Sequence, residues 1–412
     1  MITKLVSLTC LILLTVSPIL SCHSHEGEVL SENYWIIRKA LPRPYWGEAV
    51  AVNGKIYFFA WNATYEYDPA VDGWTAKTPM PAQRKGFAVA AYKNRIYVIG
   101  GVPVGSSESC WVNEAYNPET DTWERRADMP TKRSNLKAAV VDGKIYLIGG
   151  LEKNCSMVPT VSCLNEVYDP ERDTWIRASP IPKGVYSYAC AVIDNKIYIM
   201  AGQDEDPQTP LLLQIYDSKT DTWSTGSSPP VMVASATAAA TTGKWASKRI
   251  YLIGGRINYS MDGSNIVQVY NIENESWTIG ASMPTARYAP AAAVINDTIY
   301  VIGGIETFNL HPPFGWIAAN EQYIPFGYNT LGLGSSTSPA QEEETSQQDQ
   351  RSDRQTQTLL TLLVASIVAI ALVTTMAIIL KKGENAYSRT ATYSTRVFRG
   401  LQTARWSCEQ QK

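Results

Sequence analysis

The feature that most limits what this chain can fold into is a tyrosine followed seven residues later by a tryptophan, repeated five times. The pairs are Tyr67/Trp74, Tyr116/Trp123, Tyr168/Trp175, Tyr216/Trp223 and Tyr270/Trp277. Two apolar runs joined by a polar turn precede each pair. The second run carries Tyr57, Tyr97, Tyr146, Tyr198 or Tyr251, and a sixth copy carries Tyr300. Three residues after that tyrosine comes a doublet: Gly100-Gly101, Gly149-Gly150, Gly254-Gly255 and Gly303-Gly304, with Ala60-Trp61 and Ala201-Gly202 as departures. A period of roughly 50 residues with this content describes the blades of a β-propeller, each a small four-stranded sheet.

The two ends of the array complement each other. Tyr34-Trp35-Ile36-Ile37-Arg38 reads as the last strand of a blade that has nothing ahead of it, while the sixth repeat runs through Tyr323 and lacks a tryptophan seven residues on. The N-terminal strand 34–42 is therefore expected to supply the fourth strand of blade six. This gives an all-β, six-bladed ring over 34–325 with no exposed sheet edge. Asn53-Gly54, Lys93-Asn94, Asp142-Gly143, Asp194-Asn195 and Asn296-Asp297 are expected hairpin turns, because such residues tolerate positive φ. Blade five carries a longer hairpin over 241–248. Small residues in the first strands, such as Ala138-Ala139 and Ala291-Ala292-Ala293, suit crowding near the axis.

Segments outside the ring read as targeting and tethering elements. Residues 1–22 hold one lysine, an apolar run and small residues near Ser21, the pattern of a secretory signal peptide. A short polar segment, 23–33, follows. Residues 326–358 are rich in Gly, Ser, Thr, Gln and acids, which suits a flexible stalk. From Leu359 to Leu380 there is no charge, enough for one transmembrane helix. Lys381-Lys382 follow, and the tail 381–412 carries seven bases and two acids, so the positive-inside rule places it in the cytoplasm. The expectation is a single-pass type I protein of the plasma membrane or a secretory-pathway compartment, its propeller extracellular or lumenal. With a net charge of −2 and a basic tail, the body is acidic, which argues against nucleic acid as a partner.

The Gly-Gly doublets, the spaced Tyr and Trp, and the Met-Pro-X-X-Arg element (Met129-Pro130 to Arg133, Met283-Pro284 to Arg287) resemble kelch repeats. The resemblance covers about 34–325 and implies a binding scaffold. Many kelch proteins are intracellular adaptors with BTB and BACK domains, and the residues outside this ring leave no room for either. Sialidases and sialic acid mutarotases share the six-bladed architecture, so a carbohydrate-active enzyme is the alternative. A secretory-pathway scaffold or sorting protein is a third reading.

Binding is expected on the face carrying the loops between strands two and three, which vary most: 102–113, 151–165, 203–214, 256–268 and 305–322. The last holds Phe308, His311, Phe314 and Trp316. Arg84, Arg133 and Arg287 recur thirteen residues before a strand-two tyrosine. They are read either as a basic ring that grips a carboxylate or as framework residues bonding local carbonyls. Asn62, Asn154 and Asn258 are glycosylation sequons on the loop face, and Asn274 and Asn296 lie on the opposite one. Partner contacts are therefore expected chiefly from blades two, four and six. Cys155 and Cys163 bracket one loop as a candidate disulfide, with Cys110 as a competitor; Cys190 is expected to be a buried thiol. Only His23, His25 and His311 are present, too few for a histidine-rich metal site, and neither catalytic residue nor cofactor is predicted.

Overall fold

A computed structural model of the protein describes residues 33–328 apart from 153–158, 205–212, 258–259 and 308–314. Among the described residues there are strands and turns, and no helix is long and apolar enough to cross a membrane. The leader 1–22, the span 359–380, the tail 381–412 and the stalk beyond Tyr328 lie outside the described residues.

Six antiparallel four-stranded sheets follow one another along the chain. Blade one consists of Glu48–Val52, Lys55–Ala60, Ala63–Asp68 and Gly73–Lys77. The innermost strands of blades two to five are Ala88–Tyr92, Lys137–Val141, Ala189–Ile193 and Thr237–Ala240. Blade six combines Ala291–Ile295, Thr298–Ile302 and Asn320–Ile324 with Tyr34–Arg38 from the other end of the chain. Trp35 pairs across from Tyr323 as Trp123 does from Tyr116. The expected closure is therefore present in register.

The repeated aromatics have one job each. Within every blade the strand-three tyrosine and strand-four tryptophan lie 4.8–5.0 Å apart between ring centroids. Each strand-two tyrosine meets the strand-three tyrosine of the next blade at 5.5–6.3 Å, and Tyr300 meeting Tyr67 completes the circle. Burying such rings between blades supplies much of the apolar contact. The core is accordingly six clusters, one per blade interface.

A polar clamp repeats alongside them. Each strand-four tryptophan donates its indole N–H to a carbonyl just past the fourth strand of the preceding blade, at 2.8–3.0 Å: Trp74 to Lys39, Trp123 to Thr78, Trp175 to Ala127, Trp223 to Ser179, Trp277 to Ser227 and Trp35 to Ala281. Two residues before the tryptophan, Asp72, Asp121, Asp173 and Asp221 accept both the blade's tyrosine hydroxyl and an N–H of that same segment. Asn33 takes this role for blade six, accepting from Tyr323 and Ala281.

The hairpin turns have positive φ at both central residues, as at Lys93 (41°) and Asn94 (47°), which matches primed turns. Gly149, at φ +63°, shows why the doublet exists: a Cβ there would stand 2.5 Å from the Val185 carbonyl of the next blade. In blade four Ala201 adopts φ 58° at the corresponding position.

Candidate functional site

The first strands enclose an axial channel of about 420 Å³. Ala49, Val89, Ala138, Cys190, Ala238 and Ala292 form one ring of its wall, and Ala51, Ala91, Val140, Val192, Ala240 and Val294 another. One residue position departs from this plain lining. Glu48 and Lys137 stand nine residues before Tyr57 and Tyr146, where blades two, four and six have Ala88, Ala189 and Ala291. The Lys137 ammonium donates to both Glu48 carboxylate oxygens at 2.6 and 2.7 Å, joining blades one and three. Burial raises the Glu48 carboxyl above its ordinary value against the pull of Lys137. Burial also pushes the Cys190 thiol up to about 12, so it stays protonated at neutral pH and is a poor nucleophile.

The mouth on the loop face is a backbone ring. Asn135 donates its N–H to Gly86, Ser187 to Asn135, Ser235 to Ser187 and Ala289 to Ser235, at 2.7–3.1 Å. These residues link blades two to six and line the mouth together with Gly47. One residue outward on each entering segment stand Trp46, Lys85, Ser134, Tyr186, Ala234 and Tyr288. The last five pair or bridge with the residue after a doublet: Val102, Leu151, Gln203, Arg256 and Ile305 respectively. The rim is thus rich in aromatic and cationic side chains.

The site residues expected from sequence separate into distinct groups. Arg84, Arg133 and Arg287 are fully buried and do not form an open basic ring. Each turns into its own blade. Arg84 donates to Glu114 at 2.5 Å and to the Val98 carbonyl. Arg133 donates to Glu166 at 2.7 Å and to the Leu147 and Gly149 carbonyls. Arg287 donates to Glu321 and to the Gly303 and Ala319 carbonyls. A guanidinium removed from water needs such a partner, and at 0% exposure none of the three is within reach of a solvent-borne carboxylate. The framework reading of these arginines holds, with the glutamates as an addition.

Trp316 lies beside Trp61, ring centroids 5.6 Å apart, which draws the blade-six loop against the departing doublet of blade one. Phe308, His311 and Phe314 lie outside the described residues, as do Asn154, Asn258 and Cys155. Asn62 is half-buried beside Trp61, whereas Asn274 and Asn296 are exposed. Cys163 is an exposed free thiol, Cys110 a buried one and Cys190 a half-buried one. The blade-two loop presents Val104 and Trp111 to solvent, with the Lys132 ammonium 4.6 Å over the Trp111 ring. No group of three His, Cys, Asp or Glu that could hold a metal occurs among the described residues.

Sequence reasoning passed over Glu48 and Lys137, although a charge at a position otherwise held by alanine or threonine was a legible signal. It also passed over Trp46, Tyr186, Arg256 and Tyr288, whose places follow from counting outward from the doublets.

A family model described as the KLHDC2/KLHL20/DRC7 Kelch-repeats domain matches residues 117–304, and a Kelch motif model matches residues 83–130. The protein is a kelch-repeat β-propeller. Kelch-like protein 15 of Danio rerio is 26% identical to this kelch chain over 283 residues, covering 63% of this chain and 36% of the relative. Kelch-like protein 15 of Homo sapiens is 24% identical over 154 residues, covering 34% of this chain and 26% of the relative. The match spans only about a quarter to a third of these relatives' length. The solved structure of YjhT superposes on the kelch ring with a TM-score of 0.60 at 17% identity, covering 69% of this chain and 96% of that one. The likeness is one of fold.

Proposed function

We propose that this kelch propeller is a binding protein whose loop face, around the channel mouth, docks a protein partner. The exposed Trp111, capped by Lys132 on a loop that also exposes Val104, carries the reading. A solvent-facing tryptophan on a rigid scaffold is the side chain most often found at the centre of an interface. The framework arginines are spent inside the blades, so recognition falls to the loops and rim. The kelch-like relatives support a protein as the partner. In the same reading, the leader, stalk and span present the ring outside the cell or in a lumen, with glycans on the sequons. Surface labelling of intact cells separates that placement from an internal sorting role.

The test is quantitative crosslinking of partners to the full-length protein on cells. Trp111→Ala and Val104→Asp are compared with Val71→Asp, a change at an exposed residue in the turn of the opposite face. Trp111→Ala is expected to weaken capture on the order of 30-fold, with an unchanged melting temperature, and Val71→Asp to leave capture intact. Equal capture by all three variants rejects the loop face. Turnover of a sialoside by the purified protein, lost in Glu48→Gln, would favour a carbohydrate-active enzyme working at the channel pair.

A further inference from the structure

Two openings meet at one ion pair. Glu48 and Lys137 line the axial channel and also a smaller cavity of about 70 Å³ at its mouth, so the pair is the floor of that cavity. The wall above it is largely apolar, with Trp46, Phe87, Leu136 and Pro290. The Lys137 ammonium gives two N–H groups to the two Glu48 oxygens, at 2.6 and 2.7 Å. Neither charged group has another hydrogen-bond partner among the described residues, and the Lys137 and Glu48 side chains keep 22% and 24% exposure. An ammonium has three donors and a carboxylate roughly four lone-pair sites. One donor and about two acceptor sites are therefore unspent on this floor.

Holding a charged pair against an apolar wall costs desolvation that the alanine and threonine of the other blades avoid. That cost shows in Glu48, whose carboxyl burial raises against the pull of Lys137. The floor as a whole is neutral. A guest with a net charge would leave one charge uncompensated where burial already opposes ionisation. A neutral guest must instead offer Lys137 an acceptor and Glu48 a donor. The cavity has the volume of about two waters at ~30 Å³ each, so only a small polar head fits, on an apolar stem that suits the wall. A primary carboxamide answers each requirement. Its oxygen accepts and its nitrogen donates, and its two polar atoms restore the hydrogen bonds of the two waters they displace.

We propose that Glu48 and Lys137 form a carboxamide site at the base of the mouth, which takes the side chain of a glutamine or asparagine on a protein partner or the head of a small free amide. With the first source the site rests on the reading of the loop face as a docking surface; with the second it stands apart from that reading.

The experiment titrates the purified full-length protein with butyramide, and with butyrate and butylammonium as charged analogues of similar length, read by ligand-observed NMR. Variants are Glu48→Gln, Lys137→Met, the exchanged pair Glu48→Lys with Lys137→Glu, and Arg172→Gln, whose side chain is exposed on the opposite face. The proposal expects butyramide to bind at least fivefold more tightly than either charged analogue. It expects at least a fivefold loss in Glu48→Gln and in Lys137→Met, binding restored to within twofold in the exchanged pair, and no change in Arg172→Gln. The exchanged pair keeps both charges, so it carries the test if a single variant fails to fold. Absence of butyramide binding, equal binding of all three ligands, or binding indifferent to Glu48→Gln overturns the site. A short peptide with one glutamine that binds more tightly than butyramide, while its glutamate counterpart does not, supports the site with a protein side chain as its source. Butyramide binding without peptide binding supports it with a free amide. If butyramide fails while Trp111→Ala still weakens partner capture, the carboxamide site falls and the docking face stands.

Discussion

Arg133 and Glu166 meet with neither side chain exposed to solvent, and the other blades show what can replace such a pair. At the two corresponding positions the chain places Tyr45 with Tyr65, Arg84 with Glu114, Val185 with Gln214, Val233 with Gln268, and Arg287 with Glu321. Where valine stands for arginine, glutamine stands for glutamate. Gln214 and Gln268 bond both the N–H and the carbonyl of Lys183 and Val231. The two residues vary together because a buried carboxylate without its guanidinium is far costlier than an amide that satisfies itself on the backbone. Arg133→Val is therefore expected to cost about 3–5 kcal/mol, and Arg133→Val with Glu166→Gln to recover most of it, read from urea unfolding curves. A double variant no more stable than the single one would sink the pairing argument. This pairing was legible in the sequence, two residues before each strand-three tyrosine. The arginines alone drew attention because a conspicuous charge suggests a ligand more readily than a partner.

At the scale of an element, the 241–248 hairpin of blade five shows how a departure from the repeat is kept ordered. The carboxylate of Asp297, in the neighbouring turn of blade six, accepts the backbone N–H groups of Thr242, Trp245 and Ala246 and the Thr242 hydroxyl. Burial acts to raise the Asp297 carboxyl, and these donors outweigh it, leaving it below the usual carboxylate range. A depressed acid stabilises the fold fully above its unfolded value of about 3.9 and loses that contribution as pH falls through the folded value. Hydrogen exchange of the Trp245 and Ala246 amides is expected to accelerate as pH drops below about 3.9, beyond the intrinsic trend. Asp297→Asn is expected to cost roughly 1.5–3 kcal/mol at neutral pH and to flatten that acid dependence. An unchanged exchange profile in the variant would show that the carboxylate does not hold the loop. The longer hairpin could be read from TTGKWASK; its staple could not, because Asp297 lies in another blade and looks like an ordinary turn residue.

At the scale of the molecule, stability depends on closing the circle. Trp35 stacks 4.9 Å from Tyr323 and donates to Ala281, and Asn33 takes the clamp position that Asp72, Asp121, Asp173 and Asp221 fill elsewhere. A ring held by six such clamps is only as secure as the one joining its ends. Trp35→Ala is expected to destabilise the propeller by about 3–5 kcal/mol, and chemical denaturation would measure it. Trp35→Phe, which keeps the packing and removes the N–H, should cost only about 1 kcal/mol. Equal losses for both variants would place the strand's contribution in the hydrogen bond instead of the ring.

The sequence by itself determined the six four-stranded blades, the closure by the N-terminal strand and the positive-φ turns. Each follows from a local pattern at a fixed offset, and repetition makes local patterns readable. Only the tertiary structure decided what faces what. Arg133 and Arg256 are the same residue type near the same mouth, yet one is buried against a glutamate and the other lies over Tyr288 without a carboxylate partner among the described residues. Glu48 and Lys137 are 89 residues apart and meet across the axis. Spacing along the chain fixes which residues occupy equivalent places in the blades. The electrostatics of a pair depends on distance and burial, and those exist only once the ring has closed.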